Sequence, residues 1–330
     1  MPGAGFRGAE PVPLLHRMPS HHSIPDWVNA GRRRADLQRL TIRRRRTAAG
    51  FGALALLVVI IAIASGGGGG SRGAAQTLNA NAQLHPPVLS EPVVVREQRR
   101  EGRAVDRMLA SGIPVVSQGG DRVREIALTF DDGPSVYTQQ MLAVLQHFHA
   151  PATFFEIGQQ IPPFADGTRA IVSDGYWAEN HTMTHPFLTH LSASEQQAQL
   201  TQAAQNLVAA GAPPPRLFRP PYGDYNSGVV ALARRMDMLS VLWSIDTQDY
   251  TLPGSPRIVQ SVLSAAKPGS IVLMHDGGGP RYETVGALPE IIRGLRARGY
   301  TLVSVPRMML DDPPTAAEAL PAGSGLATGG

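Results

Sequence analysis

The sequence predicts an α/β fold built on parallel strands, in a sheet or a barrel, and three observations carry that expectation. Between about residues 122 and 308, short β-branched and aromatic runs alternate with longer segments of helical character. Clusters of Asp, His and Arg stand directly behind those runs, where α/β folds collect their reactive groups. One helical segment opens with the capping box Ser192-Ala193-Ser194-Glu195, which puts Ser192 at the N-cap and Glu195 at N3.

In chain order, the strand-like runs are 126–130, 152–157, 176–179, 216–218, 239–243, 271–274 and 301–305. Helices are expected near 138–149, 163–173, 194–210, 227–236, 256–266 and 285–298. On either side the composition changes. Residues 1–46 hold ten Arg and three acids without sustained apolar periodicity, and are read as an Arg-rich disordered tail. From Ala48 to Ala64 the chain is uncharged and almost wholly apolar, about long enough as a helix to cross a hydrocarbon core. The Arg block in front of it makes 47–65 a single-pass transmembrane signal anchor with the N-terminus in the cytoplasm. Ala62-Ile63-Ala64 also resembles a cleavage site, so a protein secreted after cleavage at Ala64 stands as the alternative. Residues 66–121 begin with a Gly-rich spacer and continue as a charged helical stretch near 91–111, read as a stalk or a packed N-terminal arm. Residues 309–330 are read as a disordered tail.

The net charge of +4 is concentrated in the first 46 residues; the remainder holds twenty basic and twenty-three acidic side chains. A nucleic-acid partner needs a basic folded surface, and these counts exclude one. Cysteine is absent, so no disulfide framework, thiolate site or cysteine nucleophile is available, and any metal must be held by His and carboxylate.

The first strand ends in Asp131-Asp132-Gly133-Pro134. Adjacent carboxylates repel unless cations or hydrogen bonds compensate them. Asn180-His181-Thr182-Met183-Thr184-His185 follows the third strand, and two His four apart can converge on a metal. With Asp132 they make two imidazoles and one carboxylate, a set that leaves coordination positions open. Arg219-Pro220-Pro221-Tyr222-Gly223 follows the fourth strand and offers a cation to hold one acid of the pair ionised. Asp246 and Asp249 follow the fifth, and His275 ends the sixth; a carboxylate–imidazole pair there suits a general acid. Taken singly, each cluster is also what an ordinary turn, or a solvated or core-satisfied His pair, provides. Five of them, each behind a parallel strand, point to one site.

These segments resemble the polysaccharide deacetylases, the NodB homology or carbohydrate esterase type 4 group. The resemblance spans about residues 122–306 and rests on TFDDGP (129–134), HTMTH (181–185), RPPYG (219–223), DTQDY (246–250) and LMH (273–275), in the family's order. ATFFEIG (152–158) and TVGALPEIIRGLRARGY (284–300) are also similar to its intervening sequence. The resemblance implies a distorted (β/α) barrel of about seven parallel strands holding one divalent metal ion, usually zinc. By position, it implies Asp132, His181 and His185 as metal ligands and Asp131 as general base toward the attacking water. Arg219 would fix Asp131, and the backbone N–H of Tyr222 would hold the oxyanion. His275 would be the general acid, Asp249 its carboxylate partner, and Leu273 the lining of an acetyl pocket. One departure is Tyr250, where the family often carries Trp beside the Asp matching Asp249.

The expected function is therefore metal-dependent removal of N-acetyl groups from N-acetylhexosamine units of a glycan. The anchor makes that glycan extracytoplasmic, with peptidoglycan favoured by location. An O-acetyl esterase acting on a polysaccharide such as xylan is the alternative within the same chemistry. A non-catalytic glycan-binding module is the alternative from another class, marked by loss of Asp131, a metal ligand or His275; none is lost.

Overall fold

The computed structural model describes residues 93–320. The expected Arg-rich tail, the anchor at 47–65, the Gly-rich spacer with the chain up to residue 92, and the end of the C-terminal tail lie outside the described residues. Among the described residues no helix is long and apolar enough to cross a membrane.

Among the described residues nine strands form one sheet, and every pairing between these strands is parallel. They are β1 (Val115–Val116), β2 (Glu125–Gly133), β3 (Thr153–Glu156), β4 (Trp177–Asn180), β5 (Leu217–Phe218), β6 (Leu239–Val241), β7 (Ile245–Asp246), β8 (Ser270–His275) and β9 (Thr301–Val303). The order is β1-β6-β5-β4-β3-β2-β8-β7. On one side β2 pairs with β8; its other side is shared, β9 taking the first half and β3 the second. The seven expected strands are present: β2 and β8 run longer than expected, β4 is shifted by one residue, and the other four are shorter. The fifth stops at Val241, and the two-residue strands β1 and β7 are additions too short to leave any periodicity in the sequence.

The crossover helices are α2 (Thr138–His147), α3 (Ala165–Ser173), α4 (Ala193–Ala209), α5 (Ser227–Arg235), α6 (Ser255–Ala265) and α7 (Tyr282–Ala297). They follow α1 (Val93–Ala110) and precede α8 (Val305–Asp311) and α9 (Ala316–Ala319). The capping box at Ser192 forms as expected, the Glu195 side chain accepting from the Ser192 N–H at 2.8 Å.

Successive side chains of a strand face opposite ways, and β2 shows what that achieves. Ile126, Leu128 and Phe130 pack outward with residues of the surrounding helices, among them Met141, Leu145, Ile291 and Leu295. Ala127 faces the inner cluster with Phe155, Leu217, Val241 and Ile271, which puts Thr129 and Asp131 on the concave side. One strand thus has a dry outer face and an inner face that becomes polar toward its C-terminal end.

The folded unit is wider than 122–308 on both sides. The stretch read as a stalk or a packed arm is packed: α1 buries Ala104, Val105 and Met108 against Leu239, Met308 and Met309. Its Glu101 accepts from Trp177 Nε1 at 2.8 Å and from the Ser304 hydroxyl at 3.0 Å. The expected tail is corrected as well. Met309 and Ala319 are buried, and the Asp312 carboxylate accepts from the backbone N–H groups of Arg122 and Val123, both at 2.8 Å. Three apolar side chains on a charged helix, and one Asp in a Pro-rich tail, are enough to dock these ends because the barrel floor offers apolar area and unpaired N–H groups.

Candidate active site

The C-terminal ends of β2, β4, β5 and β8, with the turns behind them, bring together the residues singled out from sequence. Asp131 is the last inward-facing residue of β2, and Asp132 follows in the left-handed region at φ 71°. The turn is tight because nothing larger than glycine fits around it. A methyl group on Gly133 would collide with the Asp276 carboxylate, and one on Gly277 with the Asp132 carbonyl.

Asp131 and Asp132 occupy different surroundings. Asp131 Oδ1 accepts from Arg219 Nη1 at 2.7 Å, and both side chains are buried. Arg219 is fully enclosed. Its Nη1 also donates to Thr129 Oγ1 at 2.8 Å, its Nε and Nη2 donate to the carbonyls of Val241 and Leu242, and its guanidinium lies 4.1 Å from the centre of the Phe155 ring. Every polar edge has a partner, which is what a buried cation requires. The second oxygen, Asp131 Oδ2, remains 3.7 Å from His181 Nε2.

Asp132 Oδ1 lies 3.6 Å from His181 Nε2 and 3.3 Å from His185 Nε2, buried and without a hydrogen-bond donor. Ligand atoms of Asp132, His181 and His185 all fall within 4.8 Å of one another. His181 Nδ1 is 2.7 Å from the Arg219 carbonyl; a carbonyl only accepts, so Nδ1 carries the proton. The Nε2 lone pair then faces carboxylate oxygens, an arrangement that repels unless a cation sits between them. Burial and the neighbouring His181 push His185 down to about 4, which keeps its ring neutral at ordinary pH. Burial alone would raise the Asp132 carboxyl, but His181, His275 and His185 outweigh it and hold the group well below the usual carboxylate range. An orphaned carboxylate oxygen beside two imidazole Nε2 atoms fits a divalent cation.

The loop carrying the imidazoles is braced by residues that sequence reasoning did not single out. Asn180 Oδ1 accepts from the Thr182 N–H, and Gln199 Oε1 accepts from the N–H groups of Met183 and Thr184. Thr182 and His185 both have positive φ, at 67° and 60°, so side-chain acceptors replace the bonds a regular helix would have made. Two His at i and i+4 thus converge from a turn and not from one helical face.

On the other side, His275 Nδ1 donates to Asp249 Oδ1 at 2.6 Å, and the His275 N–H donates to Asp249 Oδ2 at 2.9 Å. Thr284 Oγ1 donates to the same Oδ2 at 2.8 Å, another contact invisible in a linear motif because it comes from α7. Burial pulls His275 down, but the hydrogen bond and charge of Asp249 more than offset it and the imidazole is raised above its ordinary value. Leu273 is buried on β8, in register with Asp246 and Thr129. Tyr222 sits in a one-turn 3-10 segment at φ 60°, its ring 4.5 Å from that of His185. Tyr250 stands edge-on to His275 at 5.5 Å.

A second carboxyl pair lies just behind. Asp276 Oδ2 accepts from Thr138 Oγ1 at 2.5 Å and Glu156 Oε2 from Thr168 Oγ1 at 2.8 Å, while each keeps one buried oxygen without a partner. Burial pushes Asp276 up to about 7 and Glu156 up to about 8. The Asp276 backbone joins the two catalytic-face strands, its N–H donating to the Asp131 carbonyl at 3.0 Å and its own carbonyl accepting from the Ser135 hydroxyl.

Comparison with known proteins places this geometry in a family. Residues 118–241 match the family model for polysaccharide deacetylase. A chitooligosaccharide deacetylase of Rhizobium leguminosarum bv. trifolii is 37% identical over 213 residues, which is 61% of this chain and 99% of that protein. A peptidoglycan-N-acetylglucosamine deacetylase of Bacillus cereus is 37% identical over 187 residues, 56% of this chain and 87% of that protein. The crystal structure of a peptidoglycan N-acetylglucosamine deacetylase superposes with a TM-score of 0.59 at 31% identity, covering 60% of this chain and 94% of that one. Since the shared sequence runs through nearly the whole of the rhizobial protein, this chain belongs to the polysaccharide deacetylases, a family of hydrolases.

Proposed function

We propose that the protein removes N-acetyl groups from N-acetylhexosamine units of an extracytoplasmic glycan, with peptidoglycan as the favoured polymer and a divalent metal, zinc first among candidates, as cofactor. The observation that carries the reading is the division of Asp131: one oxygen is committed to Arg219 and the other is left facing the Asp132–His181–His185 group. The names of the relatives, which act on chitooligosaccharide and on the N-acetylglucosamine of peptidoglycan, support the substrate class.

Asp132, His181 and His185 would hold the metal, which when bound supplies Lewis-acid polarisation of the amide carbonyl and a more acidic water. Asp131 takes a proton from the attacking water at Oδ2, because Oδ1 is engaged by Arg219. The Tyr222 N–H helps to hold the oxyanion. His275 gives a proton from Nε2 to the departing nitrogen, since Nδ1 is spent on Asp249. An amine anion is a poor leaving group, so this proton and the raised affinity of His275 for it are central to breaking an amide. Leu273 lines the space for the acetyl methyl. In this reading the segment 47–65 anchors the catalytic domain to the cell membrane, on its outer side.

Acetate release from N-acetylated and O-acetylated oligosaccharides, with and without a chelator, tests the proposal. Release from the N-acetyl substrates that is lost on chelation and regained with a divalent metal is expected. Activity on O-acetyl substrates alone would make the protein an esterase, and activity indifferent to chelation would remove the metal from the mechanism. Sequencing the mature N-terminus tests the anchor; a start at Ser65 means cleavage.

A further inference from the structure

Aromatic rings fold to the inside, so where they stay outside is informative. Among the described residues the exposed ones are Phe187, Tyr222, Tyr250 and Tyr282. All four stand behind the C-terminal ends of strands, in the segments after β4, β5, β7 and β8, on the face that carries Asp131 and the imidazoles. Phe187 is the most telling, because it has no polar atom that would draw it to water. It is 46% exposed, although Leu188 beside it is fully buried.

The ring is held in place. Phe187 and Tyr222 stack with centroids 4.1 Å apart and planes 15° from parallel, and Tyr222 in turn meets His185. The two turns that present them are cross-braced: Asp224 accepts from the Thr189 N–H and from its hydroxyl, both at 2.8 Å. The Leu188 carbonyl is fixed by Gln196 Nε2 at 2.9 Å. A row of rings therefore runs outward from a ligand of the metal group, ordered before anything binds, and little ordering entropy is lost when something does. A pyranose offers a flat face of C–H groups with its hydroxyls at the edge, the shape that covers an aromatic face while leaving the hydroxyls in water.

We propose that Phe187, backed by Tyr222, is a specificity-determining contact for the sugar next to the one that is deacetylated, so that the protein binds oligomers in preference to a single N-acetylhexosamine. The inference rests on the deacetylase reading for the chemistry of its ligand. It is tested by calorimetric binding of the N-acetylglucosamine tetrasaccharide and monosaccharide to the full chain carrying Asp131→Asn, which prevents turnover. Adding Phe187→Ala should weaken the tetrasaccharide about tenfold and shrink its advantage over the monosaccharide, whereas Phe187→Tyr, which keeps the ring, should retain both. Equal tetrasaccharide affinity with and without the Phe187 ring, or equal loss in the Ala and Tyr variants, would overturn the proposal. Acetate release by the unsubstituted chain separates the two readings. If no glycan yields acetate the deacetylase reading fails, and the binding comparison still decides for or against the Phe187 contact.

Discussion

Two pairs of carboxyl groups from three strand ends meet around the turn at Gly133, and the protein treats them in opposite ways. Asp131 and Asp132 are compensated: Arg219 meets one, and the imidazoles of His181 and His185 surround the other. Asp276 and Glu156 lie on either side of Gly133 with only a threonine hydroxyl each, and burial pushes both toward the neutral acid. Asp132 is somewhat more open, but Asp131 is buried almost as deeply as Asp276 and Glu156, so depth alone does not separate the pairs. What differs is that Arg219 and two imidazoles face the front pair and only hydroxyls face the rear one. Four anions around one turn would repel one another strongly, and keeping the rear pair uncharged lets the front pair carry charge.

The contrast is tested most severely by removing charge from each pair in turn. Asp131→Asn should lower kcat about a thousandfold while leaving bound metal and the melting temperature close to the parent's. Acetate release at the parental rate would show that the compensated pair owes nothing to its charge. Arg219→Met should follow in size. It leaves Asp131 buried without its partner and should cost about 3–5 kcal/mol in denaturant unfolding, part of which returns when Asp131→Asn is added. If the double variant is no more stable than Arg219→Met alone, the arginine acts through packing on Phe155 and not through the acid. The smallest effect belongs to the rear pair. Because Asp276 has its folded-state value raised to about 7, the folded protein holds a proton that the unfolded chain has already lost, and stability falls as pH rises from about 4 to about 7. Asp276→Asn should remove roughly 1–2 kcal/mol of that fall while changing kcat by less than about threefold. An unfolding profile whose pH dependence is unaltered by the substitution would mean that Asp276 is ionised after all.

The same contrast marks what a linear sequence reveals. The front pair was legible because each compensating group closes a strand and carries its own short motif, from Asp131 to His275. The rear pair was not, although Asp276 directly follows His275: nothing in the string shows that Glu156 pairs across from Gly133, or that Thr138 and Thr168 supply the hydroxyls. Thr129, Thr284 and Gln199 escaped for the same reason, their contacts crossing 90, 35 and 15 residues. Strand positions were readable to within a few residues where apolar runs were long, as at β2 and β8. They failed at β1 and β7, whose two residues each are defined only by a neighbour's register. The C-terminal end of the folded unit was missed and the N-terminal one left open between stalk and packed arm, because charge and proline content describe what a segment resembles when alone, and α1 and α9 owe their order to the surface beneath them.

That surface has a directional consequence. Along α1, Gln98 bonds to Gly175, Glu101 to Trp177, Asp106 to Arg216 and Leu109 to Arg234, and the first three partners all precede or open strands β4 and β5. The chain therefore enters the domain across the barrel's N-terminal end, while the acids and imidazoles open at the other. A tether leaving residue 93 starts behind the enzyme. Were it fixed to a flat support, the catalytic mouth would be turned away from that support and toward whatever polymer lies beyond it.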